Sequence, residues 1–259
     1  MFHAVLSYRF QCCLWLVVGG PIWDASANDT FIPYKMGQVP QSVSALWETY
    51  DARRDPLDVE IVKEWKSEEV VTRYIIFTVG TFRGSVARIA GYYSFPLSAG
   101  RKAAFVWSHG GGQRAERNRG IYFAKQGYAT VDINWLGRPL EQGIDKNTDW
   151  GAVDPTQGPR FYAKALRQQW KTNLQPDAFS IDAIESPRNA NWFLLAVAAR
   201  RAITFLEQQP EVDPTRIGFS GYSMGGMITA LTAIDSRLKA VVPFVMTLAS
   251  CIDAAPSLE

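Results

Sequence analysis

"RIGFSGYSMGG", residues 216–226, decides how the rest of this chain is read. Its first half is a short β-favouring run, and its second half opens a helical stretch, "MGGMITALTAI" at 224–234. Between them, Gly221, Tyr222, Ser223, Met224 and Gly225 fit the pattern G-x-S-x-G, which has meaning only where a strand enters and a helix leaves. The physical demand is steric. The serine stands at the apex of a strained turn with its hydroxyl exposed, so the residues two positions either side must be small for the backbones to pass. Gly226 extends that tolerance, and the Met224 N–H at the helix start is placed to face a developing oxyanion. The competing reading is a plain glycine-rich strand-to-helix turn of a doubly wound fold.

A second glycine run answers the first. "HGGG", His109 to Gly112, follows the apolar stretch "AAFVWS". In an acyl-transfer site an N–H from such a loop is the second oxyanion donor, which makes Gly110 and Gly111 candidates. The run lacks the lysine of a phosphate-binding loop and the G-x-G-x-x-G spacing of a dinucleotide site. His109 is expected to shape the loop by bonding to backbone, with its imidazole turned from the serine. The alternative makes it the proton acceptor.

Around these motifs the chain changes rhythm once. "VEIVKEW", "VVTRYIIFTV" and "SVARIAGYYSF", between 59 and 95, are β-favouring runs separated by charged or glycine-bearing turns, so they pair antiparallel at one edge of a sheet. Beyond Pro96 strand and helix alternate. "KAAFVWSH" (102–109), "YATVDINW" (128–135), "RIGFSGY" and "KAVVPFV" (239–245) read as strands, and "ERNRGIYFAKQG" (116–127) and "NANWFLLAVAARRAITFLEQQP" (189–210) as helices. The expected class is α/β: a mostly parallel, doubly wound sheet with antiparallel N-terminal strands and helices on both faces. Residues 136–188 break the alternation. They carry Trp150, Phe161, Tyr162 and Trp170 among Gly, Pro, Asp and Gln, and read as a cap-like, substrate-shaping excursion.

"FVWSHGGG", "RIGFSGYSMGG" and this strand–helix order together resemble the α/β-hydrolase superfamily, over roughly residues 102–245, and within it the dienelactone hydrolase and acetyl xylan esterase-like branch. The resemblance implies a serine-dependent carboxylic-ester hydrolase with Ser223 as nucleophile and a backbone oxyanion hole from Met224 and Gly110 or Gly111. It implies small-molecule or polysaccharide esters as substrates and no cofactor. Acetyl xylan esterases of this kind typically carry Gln after the nucleophile, where Met224 stands here. Two other readings remain beside it: a relative of the prolyl oligopeptidase-like serine peptidases, and a non-catalytic α/β-hydrolase relative that has lost its triad.

Superfamily triads run Ser, then Asp or Glu, then His. The chain's two histidines, His3 and His109, both precede Ser223. Asp253 occupies the less common acid position, its alternative being an exposed residue of the tail, and Asp235 is expected to cap a helix or face solvent. The acid and histidine are therefore expected beyond residue 259, in a C-terminally truncated hydrolase.

At the other end, Arg9, the apolar "CCLWLVV" and "ASA" at 25–27 read as an export signal over 1–27, followed by an N-terminal segment with the antiparallel strands (28–95) and the hydrolase core (96–259). The expected location is periplasmic or extracellular, with no membrane span after signal removal. Cleavage there leaves Cys251 as the lone cysteine. A net charge of +2 without a basic block gives nucleic acid no footprint, and two distant histidines with no cysteine pair at ligand spacing support no metal site.

Overall fold

The computed structural model describes residues 29–30, 40–82, 84–153, 155–156 and 191–244. The first element is a single helical turn, α1 (Val43–Trp47), whose N-terminus is capped by the Ser42 hydroxyl accepting from the Ala45 N–H. Three strands follow in the predicted places: β1 (Glu60–Lys66), β2 (Val70–Phe82) and β3 (Ser85–Pro96). They pair antiparallel in sequence order, as β-rich runs joined by short turns do.

The alternation then begins with β4 (Lys102–Ser108), α2 (Arg117–Lys125) and β5 (Ala129–Ile133). It resumes with α3 (Asn191–Glu207), β6 (Val212–Tyr222), α4 (Met224–Thr232) and β7 (Leu238–Phe244). The seven strands lie in the order β1-β2-β3-β5-β4-β6-β7. The β3–β5 pair is the last antiparallel one, and β5, β4, β6 and β7 run parallel. The order reverses between β4 and β6: β4 steps back to β5 on one side and forward to β6 on the other. Ligands of open α/β sheets bind beyond the strand ends at such a switch point. That is where the two glycine motifs arrive.

The two faces of the sheet are unequally covered. Side chains alternate along a strand, so Ala104, Val106, Val131, Ile133, Ile217 and Phe219 project together on one face. There they meet α3, whose Leu194, Val197, Ala198, Ala202, Ile203, Phe205 and Leu206 are all buried in the same apolar cluster. Phe205 stacks on Phe77 at 5.6 Å and meets Tyr93 edge-on at 5.1 Å. On the opposite face α2 sits over β2, β3 and β5, with Gly120 so close to Ser94 that a Cβ there would lie 2.3 Å from the Ser94 hydroxyl.

Phe123 of α2 packs edge-on against Phe105 of β4 at 4.8 Å and Arg119 lies over Trp107, and past them no described element covers β6 and β7 on this side. Phe105, Trp107, Phe123, Tyr128, Val242 and Phe244 line an apolar groove of about 400 Å³ there. Helices were expected on both faces, and both carry one: α3 on the first and α2 on the second. No described helix is long and apolar enough to cross a membrane.

Candidate active site

β6 delivers Ser223 to the end of the sheet in a backbone conformation of φ 53° and ψ −114°. Only three non-glycine residues among those described have positive φ, and Thr49 and Asp58 are the other two. The ψ of Ser223 lies far from the left-handed helical well, so this is a strained turn, costing on the order of 1–3 kcal/mol. The surroundings over-determine it. The Ser223 N–H donates to the Phe244 carbonyl at 3.0 Å, and the Ser223 carbonyl accepts from the Met227 N–H at 3.1 Å.

The flanking glycines close the clamp. A Cβ on Gly221 would lie 2.4 Å from the Gly225 carbonyl, and one on Gly225 would lie 1.9 Å from the Ser108 carbonyl and 2.6 Å from that of His109. Glycine at both positions is a condition for α4 to start against the end of β4. The Met224 N–H, at the first position of α4, belongs to the group of helix N–H donors that have no partner within the helix.

The loop from His109 to Ala115 abuts this turn on both sides of the serine. A Cβ at Gly110 would stand 3.2 Å from the Tyr222 ring and carbonyl, and one at Gly111 would stand 2.5 Å from the Met224 Sδ. The structure thus brings Gly110 and Gly111 against the residues before and after Ser223. Gly110 is fully engaged: its N–H donates to Gln113 Oε1 at 2.8 Å, and its carbonyl accepts from the Gln113 N–H at 3.1 Å and from His109 Nδ1 at 2.9 Å.

His109 is buried, with its ring stacked on Trp135 at 4.9 Å and 12°, and Trp135 Nε1 donates to the His109 carbonyl at 2.9 Å. Burial holds its pKa down at about 4, helped by Arg119 and Arg138 and opposed by the bond to Gly110. The ring is therefore neutral at pH 7 with its proton on Nδ1, and Nε2 has no partner among the described residues. It shapes the loop through backbone, as the sequence led us to expect.

Sequence reasoning passed over the residues that hold this loop. Asn134, just past β5, accepts from the Ala115 N–H through Oδ1 and donates through Nδ2 to the Arg138 carbonyl and Asn147 Oδ1. Asp132 on β5 accepts from the Glu116 N–H at 3.0 Å and from Arg119 Nη1 at 2.5 Å, both through Oδ2. Its Oδ1 has no partner among the described residues, and burial, only partly offset by Arg119, raises its pKa to about 7. The one available signal was polar residues, Asp132 and Asn134, ending a run otherwise read as buried.

Other expectations meet the structure differently. Trp150 is buried, with Nε1 donating to the Trp135 carbonyl at 3.1 Å, so it belongs to the core and offers no face to a ligand. Most of the rest of the 136–188 excursion, with Phe161, Tyr162 and Trp170, lies outside the described residues, as do residues 1–27, Cys251 and Asp253. Asp235 neither caps a helix nor faces solvent. It is 3% exposed and receives Arg200 Nε at 2.9 Å and Arg237 Nη2 at 2.6 Å, while Arg237 also reaches Glu207 at 2.9 Å. This is a structural ion cluster tying α3 to the turn before β7. Among the described residues no group of histidine, cysteine or carboxylate side chains is arranged to hold a metal ion.

Residues 151–257, which span the serine turn, match the sequence model of the dienelactone hydrolase family. Among solved structures the chain is similar to acetyl xylan esterase 1 from a Thermoanaerobacterium species, at 23% identity and a TM-score of 0.51, over 79% of this chain and 58% of that one. It is also similar to an acetyl xylan esterase from a Paenibacillus species, at 18% identity and a TM-score of 0.50, over 86% of this chain and 66% of that one. The chain thus spans less than two thirds of the length of either. Its fold is that of these α/β-hydrolase-like proteins, and the chain resembles the dienelactone hydrolase and acetyl xylan esterase-like branch.

Proposed function

We propose that this chain carries the nucleophile and oxyanion hole of a serine-dependent carboxylic-ester hydrolase of the acetyl xylan esterase-like or dienelactone hydrolase-like kind. The observation that carries the reading is the strained backbone of Ser223, φ 53° and ψ −114°, at the junction of β6 and α4. Strained conformations on residues other than glycine cluster at functional sites, and a strand-to-helix serine turn is one of the places that uses them.

In this mechanism Ser223 Oγ attacks the ester carbonyl carbon while its proton passes to a base. The carbonyl oxygen becomes an oxyanion held by the N–H groups of Met224 and Gly111. Collapse of the tetrahedral intermediate breaks the C–O bond, the alcohol leaves with the proton, and water then hydrolyses the acyl-serine by the same steps in reverse order. His109 is a poor base for this work: burial holds its pKa at about 4, and its ring is stacked on Trp135 and bonded to its own loop. The match to acetyl xylan esterases favours acetyl esters of small molecules or polysaccharides as substrates, and we place the protein outside the cytoplasm on the signal-like residues 1–27.

Intact mass after incubation with a fluorophosphonate, beside Ser223→Ala, tests the reading. The expected result is a mass gain of one phosphonyl group in the wild-type protein that the variant lacks, followed by hydrolysis of p-nitrophenyl acetate. A folded wild-type protein that takes no label is a non-catalytic relative, the second reading that the engaged geometry of His109 supports.

A further inference from the structure

The glycine run brings two adjacent N–H groups beside the serine turn, and a backbone with three successive glycines has little conformational preference of its own. Something has to choose between them. Gly110 is closed off from both directions by one residue: Gln113 accepts the Gly110 N–H on its side-chain oxygen at 2.8 Å and donates its own N–H to the Gly110 carbonyl at 3.1 Å. His109 Nδ1 adds a third bond to that carbonyl. The Gly111 N–H has no acceptor among the described residues, and Gly111 lies directly against Met224, a Cβ there falling 2.5 Å from its Sδ.

We infer that Gln113 is a positioning residue, which takes the Gly110 N–H out of the site and thereby holds the Gly111 N–H as the second oxyanion donor opposite Met224. The inference rests on the hydrolase reading proposed above.

The physical argument concerns competition for a donor. With its carboxamide in place, the turn 110–113 is closed twice, once through backbone and once through the side chain. Without it the Gly110 N–H is unpaired beside a site built to receive an oxygen, and the glycines are free to turn either N–H towards the oxyanion. The fraction of molecules with Gly111 aligned then falls, and the rate falls with it. Substrate binding in the ground state uses neither arrangement preferentially, so the loss appears in kcat and leaves KM in place.

The side-chain length and the acceptor oxygen can be separated. Gln113→Met keeps the length and removes the acceptor; Gln113→Glu keeps both, since a carboxylate oxygen accepts the same N–H. Phosphonylation rate by a fluorophosphonate, with kcat and KM on p-nitrophenyl acetate, should fall about 10- to 100-fold in Gln113→Met, a fraction of what loss of a whole oxyanion donor costs. KM should stay within about twofold, and Gln113→Glu should recover part of the rate. Amide hydrogen exchange gives a readout without turnover: Gly110 should exchange slowly and Gly111 fast in the wild type, and Gly110 should lose its protection in Gln113→Met.

Equal labelling of wild type and Gln113→Met, or rates in Gln113→Met and Gln113→Glu that match each other, overturns the role of Gln113 and leaves the hydrolase reading standing. A wild-type protein that takes no label overturns the hydrolase reading itself, and the oxyanion role falls with it.

Discussion

The serine turn and the glycine loop meet at the same end of the sheet, yet different forces hold them. The turn is held by exclusion. Gly221 and Gly225 leave no room for a Cβ, the backbones of β4, β6 and α4 interlock, and Ser223 keeps a strained φ of 53° because its neighbours admit nothing else. The loop is held by polar side chains that approach from elsewhere: Gln113 on Gly110, Trp135 on His109 and Asn134 on Ala115. Exclusion gives a rigid, all-or-none element. Hydrogen bonds give one whose order depends on each partner, and on pH where the partners titrate.

The sharpest way to break that contrast is Gly225→Ala. Its methyl would sit 1.9 Å from the Ser108 carbonyl, a backbone atom with no rotamer to escape into. The expected loss is at the top of the overpacking range, about 3 kcal/mol or more, seen as a lowered thermal transition or an insoluble product. A folded, labelled Gly225→Ala protein would show that the turn is more yielding than its geometry implies.

Next comes a pair of opposing pH effects at the ends of β4 and β5. His109 titrates near 4 in the folded protein against about 6.5 unfolded, so the unfolded chain gains a proton that the native state refuses. Its contribution is complete above pH 6.5 and is lost as pH falls towards 4, by about 3 kcal/mol. Asp132 goes the other way. Its folded pKa of about 7 exceeds the unfolded value of 3.8, so its contribution is complete below about pH 4 and is lost as pH rises through 7. The two offset each other in the wild type. Asp132→Asn should therefore expose His109, with the transition temperature dropping as pH falls from 6.5 to 4. His109→Asn should expose Asp132, with the transition temperature dropping as pH rises over about the same window. Slopes of the same sign in both variants would show that one of the two groups is not desolvated as described.

The mildest test is Trp135→Phe. It keeps the stack on His109 and removes the N–H that the buried His109 carbonyl accepts, at an expected cost of about 1–3 kcal/mol in urea titration. If the loop is held by such bonds, Ser223 should label more slowly in this variant while the turn itself survives. An unchanged labelling rate would mean the loop is braced by Gln113 and Asn134 alone.

Much of the fold was legible before any coordinates. Three β-rich runs gave an antiparallel edge, alternation after Pro96 gave the parallel half, and the seven strands and three long helices fall where period and punctuation put them. The glycine pattern around Ser223 was legible for a physical reason: a contact forbidding any side chain leaves its mark on the very residue it restricts. What stayed hidden was every relation between distant residues. Nothing local in "HGGGQRA" says that Gln113 closes back on Gly110, or that Asn134 reaches Ala115 from nineteen positions away.

Trp150 and Asp235 show the same limit from the other side. A tryptophan in a polar stretch reads as a ligand platform until Trp135 is found beneath it, and an aspartate after a helix reads as solvated until two arginines close on it. The apolar groove that the described residues leave over β4, β6 and β7 was equally beyond reach, because apolar strands look alike whether or not a helix covers them. The sequence by itself determined the order of elements and the steric character of the serine turn, since both depend on residues adjacent along the chain. Only the tertiary structure decided which side chains close the glycine loop and which charges are buried, because those outcomes are set by groups that folding brings together and by the water it removes from between them.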